Sequence, residues 1–528
     1  CIGCHACTVA CKAEHDVPIG VNRTWVKYVE KGQFPDTRRV FSVMRCNHCE
    51  QAPCVEICPT TALFTRPDGI VDFNNDRCIG CKSCTQACPY DAIYIDPESL
   101  TAAKCNYCAH RVDIGLEPAC VNVCPTEAIV SGDLDQKGSK ISNLISRQQV
   151  SVRKPEKGTR PKLFYVEGDD VSLKPLETEH SDKSLWGSQS IGVGHHSGKK
   201  NSYSLSFQSS KNNSEKIIST EEKSVEKLIS IKGGLSGGTR PAKRVYDSPS
   251  KGILWGWEVA GYILTKALSA GILGLPLLLS QLGLINLSSE TLWISSLLSL
   301  LFLGATGILL IIDLDQPKRF LYVLLRPHWK SWLVKGGYII SVYGGLVTLL
   351  GGANILGFGE WVYWLIWPVL AFAVMLAIYT AFLFAQAKGR DFWQSPLLIL
   401  HMLLHAVLGG SAILLVLSLF WEQIRPMIPY LQNILIGGLV VQVLSLGAEL
   451  IMPHPTEDSH RTVKIITQGF FKSEFWGGVI LIGTLLPFLM LILTFAPMIL
   501  AFAGLLVLIG IWCSVRIWVI APQMIPLS

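Results

Sequence analysis

Sixteen cysteines within the first 124 residues constrain this chain more than anything else in it. They form four sets: Cys1, Cys4, Cys7 and Cys11; Cys46, Cys49, Cys54 and Cys58; Cys78, Cys81, Cys84 and Cys88; Cys105, Cys108, Cys120 and Cys124. Every set opens C-x2-C and closes C-x3-C. Zinc sites use C-x2-C pairs separated by a longer spacer and lack this repeated closing triplet. The pattern fits [4Fe–4S] ligation, in which a cysteine loop holds three irons of one cube and the fourth cysteine, typically before proline, crosses to a second cube. Cys58, Cys88 and Cys124 each precede proline, whereas Cys11 precedes Lys12.

Spacing predicts the exchange partners. Only 19 residues separate Cys58 from Cys78, the hairpin length of a two-cluster ferredoxin, so sets two and three are expected to swap. Cys46, Cys49 and Cys54 then join Cys88, while Cys78, Cys81 and Cys84 join Cys58. By elimination Cys1, Cys4 and Cys7 join Cys124, and Cys105, Cys108 and Cys120 join Cys11. All sixteen positions are cysteine, so four [4Fe–4S] clusters and no three-iron cluster are expected. Four cubes in series make an electron wire with no substrate chemistry of its own.

The stretch "GIVDFNNDRCIGCKSCTQACPYDAIYID" reads as strand, ligand loop, helical turn ended near Pro89, and second strand. Residues 1–150 are therefore expected to be an α+β ferredoxin-like repeat. Residues 151–250 read as a polar extension, with one strand at "KLFYVE", followed from Val171 to about Pro249 by a flexible linker rich in Ser, Lys, Gly and Asn. Such a segment buries too little apolar surface to fold alone. No strand precedes Cys1 as "GIVDFNNDR" precedes Cys78, so the N-terminus is expected to be truncated and carries no information about a leader.

Residues 251–528 are expected to form an all-α, eight-helix transmembrane bundle. Eight apolar stretches near or above the ~20 residues that span a bilayer run over Leu254–Ser280, Thr291–Ile312, Gly336–Gly357, Val362–Ala385, Pro396–Phe420, Leu431–Met452, Glu474–Phe495 and Ala496–Ile520. The net charge of +6 is modest for 528 residues, and without a clustered basic face or a known motif nucleic-acid binding is not expected.

Ionisable groups inside a bilayer are costly and point to function. Lys266 lies in the first stretch, Asp313 ends the second, Tyr379 is in the fourth, His401 and His405 in the fifth, Glu449 closes the sixth and Arg516 is in the eighth. With alternating chain direction and ~1.5 Å per residue, all of them fall in or near the half of the bilayer on the iron–sulfur side. A quinol losing two electrons must also lose two protons, so titratable groups beside the wire suit a quinone site. Lys266, Asp313, His401, His405 and Glu449 are the candidates for proton transfer there. Tyr379, Arg319 and Arg516 are candidates for the pocket. Arg516 and Asp313 read equally well as snorkelling side chains, and Tyr379 as an interface residue. His401 and His405 share one helix face, and no other stretch offers a histidine, so haem is not expected.

The segments "CNHCEQAPCVEICPTTA", "CIGCKSCTQACPYDAIYID" and "CNYCAHR…PACVNVCPTEAI" resemble the four-cluster ferredoxin subunits of the dimethyl sulfoxide reductase and polysulfide reductase families. That resemblance implies a wire order of set one, set four, set two, set three. It places the first near a molybdopterin catalytic subunit and the last near the membrane. "DLDQPKRFLYVL", "PLLILHMLLHAVLGGSA" and "AELIMPHP" resemble the NrfD-like membrane subunit of polysulfide reductase, with Asp313, Pro317 and Arg319 matching its D-L-x-x-P-x-R-F signature. This implies an eight-helix, haem-free subunit that reacts with menaquinone or ubiquinone.

Ten basic residues (Lys318, Arg319, Arg326, Lys330, Lys335, Lys388, Arg390, Arg461, Lys464 and Lys472) lie in loops on the iron–sulfur side. The opposite loops offer Arg425 with Glu290, Glu360 and Glu422. The positive-inside rule predicts a multi-pass inner-membrane protein with its iron–sulfur domain in the cytoplasm, whereas polysulfide reductase carries that domain outside. The leading reading is an iron–sulfur and quinone-reactive subunit, fused in one chain, linking a separate molybdopterin enzyme to the quinone pool. Its alternatives are an ion-translocating module of a larger respiratory complex, with further subunits, and the quinone-linking subunit of a hydrogenase.

Overall fold

Prolines after the closing cysteines shape the first part of the chain. A residue before proline is driven out of the helical region. The short helices Pro53–Ile57 and Ser83–Ala87 accordingly end at Cys58 and Cys88, both extended at ψ 119° and 112°. The computed structural model describes residues 1–180, 242–452 and 454–528, which divide into two units.

The first unit comprises Cys1–Leu254 with the segments Ala387–Arg390 and Gln523–Ser528. Its ligand loops alternate with small antiparallel pairs: Leu63–Thr65 with Val71–Phe73 between sets two and three, and Ile93–Ile95 with Ala102–Lys104 between sets three and four. A larger sheet orders Asp36–Arg45, Thr24–Gln33, Ala242–Tyr246 and Glu179–His180. The strand within "KLFYVE" is Tyr165–Val166, paired with Val150–Ser151.

The expected flexible linker from Val171 to about Pro249 is corrected at both ends. Asp170–Leu173 is a helical turn, and Ala242–Tyr246 pairs antiparallel with Thr24–Gln33, with a register shift between Tyr28 and Val29. "AKRVY" is polar in sequence, yet Arg244 and Tyr246 turn inward from alternate positions. Arg244 bonds Pro175 O and pairs with Asp247 at 3.1 Å. Asp247 also accepts from Trp25 Nε1 (2.7 Å) and Ser528 Oγ (2.9 Å). Arg153 donates to Leu527 O, and Arg390 to Ile525 O. The middle of the expected linker, residues 181–241, lies outside the described residues.

The second unit comprises Trp255–Gln386 and Asp391–Pro522. Among the described residues eight helices are long and apolar enough to cross a membrane: Trp257–Gln281, Ser289–Asp313, Trp332–Ile355, Gly359–Gln386, Leu397–Leu417, Glu422–Ile451, Glu474–Leu493 and Pro497–Met524. The last two are separated where Thr494 turns extended ahead of Pro497. The seventh opens with π-helical geometry over Glu474–Leu485.

Small residues set the helix crossings, because apolar lipid gives helices little reason to associate except close packing. A Cβ on Gly271 in the first helix would lie 2.0 Å from Ala406 O in the fifth, beside Gly410. Gly483 and Gly510 bring the seventh and eighth helices together in the same way, with a Cβ on either 2.3 Å from the other's Cα. In the first, third and fourth helices Leu273, Leu277, Val347, Leu350, Val369 and Leu376 belong to one buried apolar core.

Candidate functional site: four cysteine sets and a membrane-embedded cavity

Each ligand loop bends through a non-glycine residue in the left-handed region: His5 (φ 59°), His48 (42°), Lys82 (60°) and Tyr107 (61°). Such backbone costs energy and persists where the surrounding structure enforces it, characteristically at ligand sites. Each of the four lies between two cysteines of its set, so the bend falls inside the ligand loop.

The structure brings together cysteines distant in sequence. Cys58 joins Cys78, Cys81 and Cys84 in lining one cavity of about 390 Å³ of atom-free space, with Ile79, Phe73 and Ala102 among its apolar walls. The Cys84 thiol is pushed well above its ordinary range by burial and by Cys81, Cys78 and Cys58. In the same manner burial, then Cys88 and Cys46, raise Cys54, and Cys49 is pushed up to about 12 by burial with Cys46 and Cys88. Cys11 is pushed up to about 12 by burial and by Cys105, Cys120 and Cys108. Cys7 and Cys120 share a core patch with Val26 and Ile129, flanked by Cys124. Cys1 and Cys4 are exposed.

Burial disfavours the thiolates of Cys84, Cys54, Cys49 and Cys11, and bound cationic iron would remove that penalty by deprotonating its ligands outright. The donor set and the cavity therefore fit an iron–sulfur cube. Among the described residues no three His, Cys, Asp or Glu side chains converge as a single-ion site requires. A cube asks less, since each thiolate meets a different iron.

Hydrogen bonds reach several sulfurs. Arg45 Nη1 donates to Cys120 Sγ at 3.1 Å, Ala102 N–H to Cys78 Sγ at 3.4 Å and Ala128 N–H to Cys124 Sγ at 3.3 Å. His15 Nε2 stands 3.2 Å from Cys108 Sγ.

In the second unit a cavity of about 280 Å³ of atom-free space opens between helices. It is lined by Leu398, His401, Met402 and His405 from the fifth, Ser514, Val515, Trp518 and Val519 from the eighth, and Ile263 and Phe384. The spacing i, i+3, i+4, i+7 on the fifth helix puts its four residues on one face. His401 Nε2 lies 3.8 Å from Glu449 Oε2, outside hydrogen-bond distance, and Glu449 Oε2 accepts from Ser395 Oγ at 2.8 Å. Both histidines and Glu449 are buried. This is an apolar slot with a few convergent polar groups, the usual make-up of a small-molecule site.

The other expected site residues stand elsewhere. Lys266 Nζ donates to Leu376 O (3.1 Å) and Ala377 O (2.6 Å) on the fourth helix and sits 4.8 Å from the Tyr379 ring centroid. Tyr379 packs over Gly336, where a Cβ would lie 2.3 Å from its ring. Neither lines the cavity. Arg516 is ion-paired with Glu474, so its charge is matched within the bundle. Asp313 ends the second helix half-buried, and Arg319 closes the turn Pro317–Arg319. Sequence reasoning missed Trp518, Met402, Phe384 and Ser395. The first three carry no signal beyond helical spacing, and Ser395 is marked only by preceding Pro396.

Comparison with known proteins matches residues 38–134 and 1–63 to 4Fe-4S dicluster domain models, and residues 247–526 to the model "Polysulphide reductase, NrfD". About a third of the chain is similar to a tetrathionate reductase subunit of Salmonella typhimurium, 43% identical over 190 residues (35% of this chain, 76% of the relative). It is 44% identical over 171 residues to a polysulfide reductase subunit of Wolinella succinogenes (31% and 88%). It is 36% identical over 214 residues to the arsenate respiratory reductase iron-sulfur subunit ArrB of a Shewanella species (31% and 92%). Through residues 247–526, more than half its length, the chain belongs to the polysulphide reductase NrfD family, here fused behind a 4Fe-4S dicluster region of the reductase iron–sulfur subunit type.

Proposed function

We propose that this fused iron–sulfur and NrfD-type membrane subunit carries electrons between quinol in its membrane half and a separate molybdopterin-type catalytic subunit. The observation that carries the reading is the cavity ringed by Cys58, Cys78, Cys81 and Cys84, a ligand set assembled from two sequence motifs as cluster exchange requires. The remaining cubes would be held by Cys46, Cys49, Cys54 and Cys88, by Cys105, Cys108, Cys120 and Cys11, and by Cys1, Cys4, Cys7 and Cys124. When bound, such clusters supply one-electron transfer.

The protein's own residues handle the rest. Exposed Cys4, Ile2 and Val9 leave the first set at a surface suited to a partner. The names of the relatives, reductases of tetrathionate, polysulfide and arsenate, support a molybdopterin-type enzyme as that partner. In the membrane half the apolar walls of the His401–His405 cavity exclude water and admit a quinone ring. His401 takes a proton from quinol, and Glu449, oriented by Ser395, takes it onward. The ten basic residues in the loops after the even-numbered helices support an inner-membrane protein with its iron–sulfur half in the cytoplasm.

The full-length chain in proteoliposomes tests this. It should hold roughly 16 irons, four per cube, and quinol should reduce them. Far fewer irons, or iron that quinol leaves oxidised, defeats the reading. A second reading, proton translocation, has one observation in its favour. Ser269, Ser299 and Tyr343 join first, second and third helices in a buried hydroxyl chain (Ser299 Oγ to Tyr343 OH 2.9 Å). Proton flux into the vesicle lumen beyond the two protons of quinol chemistry would favour it.

A further inference from the structure

Two buried basic residues stand immediately before cysteine sets two and four. Arg45 ends the strand Asp36–Arg45 and precedes Cys46, and Lys104 ends Ala102–Lys104 and precedes Cys105. Each reaches the other's set. Arg45 Nη1 donates to Cys120 Sγ at 3.1 Å. Lys104 Nζ donates to Cys105 O at 2.9 Å and to Val71 O, and its positive charge favours the Cys46 thiolate. Arg45 is 8% exposed and Lys104 fully buried. A basic residue before a ligand loop does not by itself produce this, since Arg77, before Cys78, is exposed.

Burying a charge is expensive unless a partner offsets it. For Arg45, burial opposes the charge, and the sulfurs of Cys120 and Cys105 more than offset that, raising its pKa above the ordinary value. A guanidinium stays protonated at every pH a protein survives. Reducing a cube adds negative charge to it and its thiolates. A fixed cation in hydrogen-bond reach of a ligand sulfur therefore stabilises the reduced form more than the oxidised one, the more so where water is excluded.

Resting on the four-cluster reading above, we propose that Arg45 and Lys104 are a crossed pair of potential-setting cations. Arg45 raises the reduction potential of the cube held by Cys105, Cys108, Cys120 and Cys11. Lys104 raises that of the cube held by Cys46, Cys49, Cys54 and Cys88. Because each cation bridges from one set to the other, the pair also offsets repulsion between the two cubes when both are reduced, so the centre of the wire can hold two electrons, the number a quinol delivers.

The test is an EPR-monitored redox titration of the full-length, iron-loaded chain, with signals assigned by Cys108→Ser and Cys49→Ser. Arg45→Gln should lower the midpoint of the first cube, and Lys104→Gln that of the second. Arg45→Lys and Lys104→Arg should leave both in place. Unshifted midpoints in iron-replete neutral variants overturn the proposal. If one neutral variant loses iron, the other decides. If both lose iron while the charge-preserving variants keep it, the residues hold the fold and the proposal also falls. Fewer than four cubes in the unsubstituted chain is a separate result, which overturns the function proposed above.

Discussion

Asp247 shows how one residue stabilises the iron–sulfur unit. Burial alone would raise its carboxyl, but Arg244 and Lys27 outweigh that and hold it below the usual carboxylate range. A carboxylate with a depressed folded-state pKa stabilises the fold above its unfolded value near ~3.9, and that contribution disappears as pH falls through the folded value. Asp247→Ala leaves Arg244 buried without its partner and should cost about 3–5 kcal/mol, read as a lower thermal midpoint. The deficit relative to the unsubstituted chain should shrink below about pH 4. In the membrane half, Glu449→Gln removes the acceptor facing His401 and should slow quinol oxidation by about 100-fold or more, with iron content unchanged. Equal turnover in the variant would remove Glu449 from the proton route.

Among elements, the helix crossings are the most sensitive to substitution. Gly271→Val places methyl groups where Ala406 O already sits, and overpacking of this kind costs about 1–3 kcal/mol or more. The variant should lose monodispersity in detergent, whereas Gly352→Val, at a position with open space around it, should not. The spans themselves were legible as apolar runs, because a bilayer demands them. The cavity was half legible. His401 and His405 stand out in an apolar helix, but Trp518, Phe384 and Met402 look in sequence like any lipid-facing residue, and only packing separates the two. Glu474 was missed as the partner of Arg516 because 42 positions divide them. The strand Ala242–Tyr246 was hidden for a related reason. Val245 and Tyr246 favour a strand, but five residues set in a polar stretch give too short a signal, and the order comes from the edge of Thr24–Gln33 that they complete.

At the scale of the molecule the cysteine sets were the most readable feature, since ligand spacing is a local constraint that survives any tertiary context. The loops after the even-numbered helices make a topological prediction. A reporter inserted at Lys388–Gly389 would perturb Gln86, to which Gly389 and Arg390 are hydrogen-bonded, so Lys330 is the better site. Lys330→Cys should be labelled from the cytoplasm, and labelling from the opposite side would reverse the orientation proposed above.

Gln86 sits between Cys84 and Cys88, and the residues that grip it come from far along the chain: Arg390 on its Oε1 (3.0 Å) and Gln523 on its Nε2 (3.0 Å). Gln523 also accepts from Leu254 N–H, and Ser528 from the same segment caps Asp247. The first unit is therefore discontinuous in sequence. A soluble fragment cut near residue 254 would be an amputated domain, its ligand loop missing two clasps and its buried aspartate one donor. Such a fragment should bleed iron faster than the intact chain, and supplying the tail as a free peptide would restore it poorly, because tethering had kept that tail at a high local concentration.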